Sequence, residues 1–235
     1  MGNIISDTIY NVLYAKKDEE LNKEVDMEIA DKVKTINTPQ GLTLEGVKID
    51  LTNCRNWKRI VIHHAAQKDS DTYNDWAGIK KYQMSWRYNG NVITEEKAKE
   101  LIAQGVKGVE SPDLDIAYHF GYEHVVGQPV LQIGRPLSMM GAHTKGGYNV
   151  DSIGWCSVGN FDSVPIPDDS LGLMVRCLKS MIKYFNIPID YDHVLGHWES
   201  FIQLGKAKTK EEAWTNFKTC PGKTVDCDNV RKLLL

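Results

Sequence analysis

The apolar residues Leu21, Val25, Ile29 and Val33 fall at spacing four in and just after a charge-rich stretch over residues 16–31. That is the stripe of one amphipathic helix with a solvated opposite face. Thr38-Pro39-Gln40-Gly41 then breaks the pattern. A boundary is therefore expected near residue 40, with residues 1–40 a partly helical N-terminal extension and residues 41–235 the main domain. Loose alternation over residues 42–51 suggests an edge strand or hairpin. Residues 59–64, Arg-Ile-Val-Ile-His-His, form a continuous apolar run ending in two histidines, as in a strand buried on both faces of a helix-covered sheet. Residues 71–88 read as a helix with Trp76, Ile79, Tyr82 and Trp86 near one face. Residues 94–104 read as a second helix, capped by Thr94, inside an inserted segment spanning residues 89–115.

Residues 116–126 are aromatic and β-branched and predict a strand. Gly127-Gln128-Pro129 turns the chain, and residues 130–133 return as its hairpin partner. A glycine-rich loop over residues 141–149 precedes another apolar strand ending near Val158. That loop lacks the spacing of a phosphate-binding loop. Leu171, Met174, Val175, Leu178, Ile182 and Phe185 mark the clearest helix, opened by Pro167-Asp168-Asp169 and stopped by Asn186-Ile187-Pro188. Residues 194–196 form a brief strand leading to His197. Residues 200–219 are a long loop or helical excursion, helical over 211–217, and residues 228–235 close the chain as a short helix. Strands alternating with helices, plus one hairpin, give an α/β fold with a central mixed β-sheet flanked by helices.

Composition narrows the function classes. A net charge of −3 over 235 residues offers no basic field for nucleic acid. No apolar run approaches the roughly 20 residues that span a bilayer, so stable membrane insertion is not expected. The first residues lack a basic and an apolar region, so synthesis without a signal peptide is expected. Five irregularly spaced cysteines read as reduced thiols. Cys156 and Cys177 sit in apolar settings and read as core, and Cys54 and Cys227 are free to pair.

Candidate chemistry lies at His63, His197 and Cys220. Two imidazoles and a thiolate are a ligand set zinc accepts, and three protein ligands leave a fourth position open, as in catalytic zinc sites. The two histidines lie 134 positions apart, so only the fold can unite them. Singly, each is equally an ordinary buried histidine, and Cys220-Pro221-Gly222 is equally an ordinary turn. His64, His119 and His124 compete as ligands. Strand alternation sends His63 and His64 to opposite faces, so both cannot easily bind one ion.

Taken in order, Ile60-Val61-Ile62-His63-His64, Ala117-Tyr118-His119-Phe120, Gly141-Ala142-His143-Thr144, Gly147-Tyr148-Asn149, Ser152-Ile153-Gly154, Val158-Gly159-Asn160-Phe161, Gly196-His197 and Cys220-Pro221-Gly222 resemble the zinc-dependent N-acetylmuramoyl-L-alanine amidase family. That family includes phage endolysin amidases and peptidoglycan recognition proteins, and the resemblance covers roughly residues 55–230. It implies zinc in a surface cleft and cleavage of the amide between N-acetylmuramic acid and L-alanine. It implies His63, His197 and Cys220 as zinc ligands, Tyr118 facing the metal and its water, and Lys218 as the catalytic lysine. His143, Thr144 and Asn149, with Trp86, become the expected substrate contacts. Gly154-Trp155-Cys156 carries no carboxylate, which points to the tyrosine/lysine branch. The 23-position gap between His197 and Cys220 exceeds the family's usual short loop. The implied partner is bacterial peptidoglycan, met by a monomeric enzyme acting at the wall, in the phage case after release through a holin-type pore. A non-catalytic recognition module and a muropeptide-recycling amidase are the alternatives.

Overall fold

A computed structural model of the chain describes residues 41–67 and 75–235. The expected extension over residues 1–40 and its helical stripe lie outside the described residues. Residues 41–235 belong to one compact unit. It opens with a hairpin of β1 (Thr43–Leu44) and β2 (Val47–Lys48), followed by β3 (Arg59–His64). Helix α1 (Trp76–Gln83) leads to a small sheet of β4 (Arg87–Tyr88), β5 (Asn91–Val92) and β6 (Val109–Glu110), with α2 (Glu95–Ala103) between the last two. Next come the hairpin β7 (Phe120–Val125) and β8 (Gln128–Ile133), the short helix α3 (Tyr148–Asp151) and β9 (Ser152–Ser157). Helix α4 (Asp168–Phe185), β10 (Val194–Gly196), α5 (His197–Gln203), α6 (Lys210–Asn216) and α7 (Cys227–Leu234) complete the order.

Five strands form the central sheet in the order β10-β3-β9-β7-β8. The first three pairings are parallel and the last is the antiparallel hairpin, so the sheet is mixed, as the sequence predicts. β3 and β9 lie inside it with nearly every residue buried, which accounts for their unbroken apolar runs.

Register assigns the two faces. Ile60 and Ile62 pair with Ile153 and Trp155, and Phe120 pairs with Trp155. These side chains share one face with Leu173, Met174, Cys177, Leu178 and Met181 of α4 and with Val230 and Leu234 of α7 in the main core. Truncating fully buried Leu178 to alanine there costs about 2–5 kcal/mol. The odd positions of β3, Val61 and His63, face the other way beside Gly154 and Cys156. Packing on that second face is divided among small clusters, including one built on Trp76, Ile116, Cys156 and Val158. On that face the space beside Gly154 is filled by the His143 ring, 2.4 Å from where a Cβ would lie.

Three local outcomes differ from the sequence pattern. The helix expected over residues 71–88 is the eight-residue α1, whose N-cap Asp75 accepts the Gly78 N–H. Arg87 and Tyr88 leave it to pair in the small sheet, whose other two strands come from the segment over residues 89–115. The strand expected from residue 116 begins only at Phe120. Before it, the Arg135 guanidinium takes the carbonyls of Asp115 and Ile116, and Gln83 takes the Ala117 N–H. Side chains satisfy backbone that a strand partner would otherwise claim. The excursion after His197 folds as α5 and α6 around Trp198, Phe201, Ala207 and Ala213. All five cysteines are free, so Cys54 and Cys227 do not pair.

Candidate metal centre

β3 delivers His63 at its end, on the sheet face opposite the main core, almost wholly buried. β10 delivers His197 as the first residue of α5. The turn between them needs Gly196, since a Cβ there would lie 2.7 Å from both Cys227 Sγ and Pro221 Cδ. The Glu199 carboxylate accepts the Gly196 N–H at 2.7 Å and caps the helix that carries His197. Cys220 arrives from the loop before α7, across a cis bond to Pro221. Its carbonyl accepts the Trp198 N–H at 2.9 Å, which ties the Cys220 loop directly to the start of α5.

One ligand atom from each of His63, His197 and Cys220 lies within 4.8 Å of the other two. His63 Nδ1 stands 3.4 Å from Cys220 Sγ. Tetrahedral zinc with bonds of about 2.0–2.1 Å to nitrogen and 2.3 Å to sulfur sets its ligands roughly 3.4–3.6 Å apart, so this spacing suits an ion between them.

The electrostatics agree. Burial holds the His63 imidazole well below the usual histidine range, with His197 and His143 adding to the effect. Burial, then the Lys218 and Lys145 cations, lowers His197 to about 3. Both rings are therefore neutral at physiological pH and have a lone pair to offer. Burial pushes the Cys220 thiol up to about 12, so it holds a proton that an arriving cation must displace. His197 Nε2 is buried with no hydrogen-bond partner among the described residues. A metal ion fits this donor set.

The half-buried Tyr118 sets its ring 5.2 Å from that of His63. Burial keeps its phenol pKa well above the ordinary value, with the Cys156 and Cys220 thiols acting the same way. Lys218 is exposed, and its cation is close enough to depress His197. The expected substrate residues divide. His143 is buried behind the cluster, with Nδ1 2.9 Å from His63 Nε2. Asn149 accepts the N–H groups of His143 and Thr144, each at 2.9 Å, and donates to the Thr144 carbonyl. Buried Thr144 and half-buried Asn149 thus hold the loop's shape. Trp86 follows α1 rather than lying on it, and its carbonyl accepts the Ile93 N–H in the small sheet.

The other histidines have different partners. His64 faces away and accepts the Phe161 N–H at 3.1 Å. His119 accepts the Gly154 N–H and donates to the Met139 carbonyl. His193 binds Asp190 at 2.6 Å. Cys156, paired in register with His63, also borders the site, and alternation along β9 is the signal that could have found it. Glu199 and Arg231, 32 positions apart in the chain, form a buried ion pair at 2.9 Å beside His197, and no local pattern joins the two.

No curated protein is close enough in sequence to count as a match. Solved structures similar to this chain include the N-acetylmuramoyl-L-alanine amidase LysC from Clostridium intestinale, at 18% identity over 85% of this chain and 94% of that one, TM-score 0.44. Bumblebee PGRP-SA matches at 18% identity over 72% of this chain and 78% of its own, TM-score 0.42. Drosophila PGRP-LB matches at 19% identity over 72% and 79%, TM-score 0.41. The sequence profile described as N-acetylmuramoyl-L-alanine amidase matches residues 53–223, a span that contains all three donors. The chain belongs to the N-acetylmuramoyl-L-alanine amidase family.

Proposed function

We propose that this protein hydrolyses the amide between N-acetylmuramic acid and L-alanine in peptidoglycan, with zinc held by His63, His197 and Cys220. The observation that carries the reading is the meeting of two neutral imidazoles and a thiol within 4.8 Å in a chain of this family. Bound there, zinc supplies the chemistry of acidifying a water towards a pKa of about 7 and polarising the scissile carbonyl. His63 and His197 offer lone pairs without first losing protons, and Cys220 releases its thiol proton as it becomes a ligand. The Tyr118 phenol keeps its proton and serves as a hydrogen-bond donor to charge developing on the substrate. The Lys218 ammonium, exposed at the same edge, stabilises the oxyanion. The thiol beside two neutral imidazoles favours this reading over a module that only recognises muropeptides.

The cellular setting we propose is wall lysis by a phage or prophage endolysin, a class this family includes. The test is mass spectrometry of digested peptidoglycan with and without a chelator. Free L-alanine amino termini, lost on zinc removal and in Cys220→Ser, are the expected result. Full cutting by Cys220→Ser would overturn the zinc reading. Cutting of soluble muropeptides but not of intact sacculi would replace the lytic role with recycling.

A further inference from the structure

His143 offers both ring nitrogens to the protein interior. Its Nδ1 lies 2.9 Å from His63 Nε2 and its Nε2 lies 3.4 Å from the Ser152 carbonyl oxygen. A carbonyl only accepts, so the proton of neutral His143 belongs on Nε2 and its Nδ1 presents a lone pair. His63 must then donate from Nε2. A neutral imidazole has one N–H, so the lone pair of His63 falls on Nδ1, the atom facing Cys220 Sγ at 3.4 Å. The opposite assignment would set the His143 Nε2 lone pair against the Ser152 oxygen and leave that contact repulsive.

Sterics hold the ring where this proton chain needs it. A Cβ at Gly154 would lie 2.4 Å from His143 Cδ2, and one at Gly141 would lie 2.4 Å from the same atom. Neither glycine has positive φ, so each is there for room rather than for backbone freedom. The N–H groups of His143 and Thr144 are pinned by Asn149 Oδ1. His143 is 6% exposed, and neither ring nitrogen is left over for another ligand.

We infer that His143 is a positioning residue: through the chain Ser152 carbonyl, His143, His63 it fixes the tautomer and orientation of His63, so that Nδ1 is the metal-binding atom. The inference rests on the zinc reading for its purpose, though not for its geometry. It moves His143 from the substrate groove to the support of the metal site. Partners of this kind are worth about 10–100-fold in metal affinity.

The test uses the full chain. Zinc affinity is measured by competition with a chromophoric chelator for wild type, His143→Gln and His143→Leu. Leucine cannot accept from His63, and a 10–100-fold loss is expected. Glutamine offers an oxygen to His63 and an amide N–H to Ser152, and should recover affinity to within about threefold of wild type. Gly154→Ala, which pushes on the ring, should weaken zinc as well. Long-range 15N–1H spectra of the wild-type histidines decide the chain even if a variant fails to fold. They should show the proton on Nε2 of both His63 and His143 in the metal-free protein, and zinc on His63 Nδ1 once loaded. A proton on His143 Nδ1, zinc on His63 Nε2, or wild-type affinity in folded His143→Leu would overturn the inference. A wild type that binds no zinc would instead sink the zinc reading, and the metal-free spectra would still decide the tautomers.

Discussion

Replacing Glu199 with alanine would strip a buried carboxylate of three jobs at once. It accepts the Gly196 N–H at 2.7 Å and pairs with Arg231 Nη1 and Nη2 at 3.0 and 2.9 Å. Both side chains are nearly inaccessible, at 3% for Glu199 and 9% for Arg231. Losing one partner of a buried pair costs about 3–5 kcal/mol, because the other charge stays buried. Arg231 keeps Asp228 at 2.7 Å and the Val194 carbonyl at 2.8 Å, which sets the charge loss near the lower end. The orphaned Gly196 N–H adds about 1–3 kcal/mol. These losses share atoms and do not simply add, so about 4 kcal/mol is expected. In urea, at a slope of about 2 kcal/mol per M, the midpoint should fall by about 2 M. Glu199→Gln retains an oxygen for Gly196 and should fall in between. The same network holds the β10–α5 junction that carries His197, so zinc affinity should drop with stability. A midpoint shift below about 0.5 M for Glu199→Ala would refute the buried-pair argument.

Two other perturbations test the chemistry. The metal-free protein should lose stability as pH falls through about 6.5, the ordinary histidine value. His63, His143 and His197 are depressed by burial, His197 to about 3. The unfolded chain therefore binds more protons below 6.5, and each histidine steepens the loss by up to about 1.4 kcal/mol per pH unit. For His197 the loss continues down to about pH 3. Urea midpoints in chelator at pH 7.5, 6 and 5 measure this, and a flat profile would show that the rings are not buried neutral. Tyr118→Phe and Lys218→Met should each lower kcat by about 100-fold with zinc content unchanged. Steady-state rates paired with metal analysis check them, and an unaltered kcat would remove the residue from the reaction.

Much of the fold was legible because periodicity is a local property. The apolar run at residues 59–64, the 3-4 spacing of α4 and the turn at Gly127 each identified an element without knowledge of its neighbours. Alternation even separated His63 from His64. What failed was settled by distant partners: Gln83 and Arg135 took backbone from the expected start of a strand at residues 116–119. Trp86 left its expected helix for the same class of reason, since Arg87 found a strand partner in β5.

Sequence alone determined which residue types were present and in what order, and hence that two imidazoles and a thiol were available to a metal in an α/β frame. Tertiary structure alone decided that their donor atoms meet within 4.8 Å, that Glu199 and Arg231 brace one ligand, and that His143 turns inward to another. Spacing along a chain specifies which face a side chain takes. Which other side chain waits on that face is set by sheet register and by packing between segments more than a hundred residues apart.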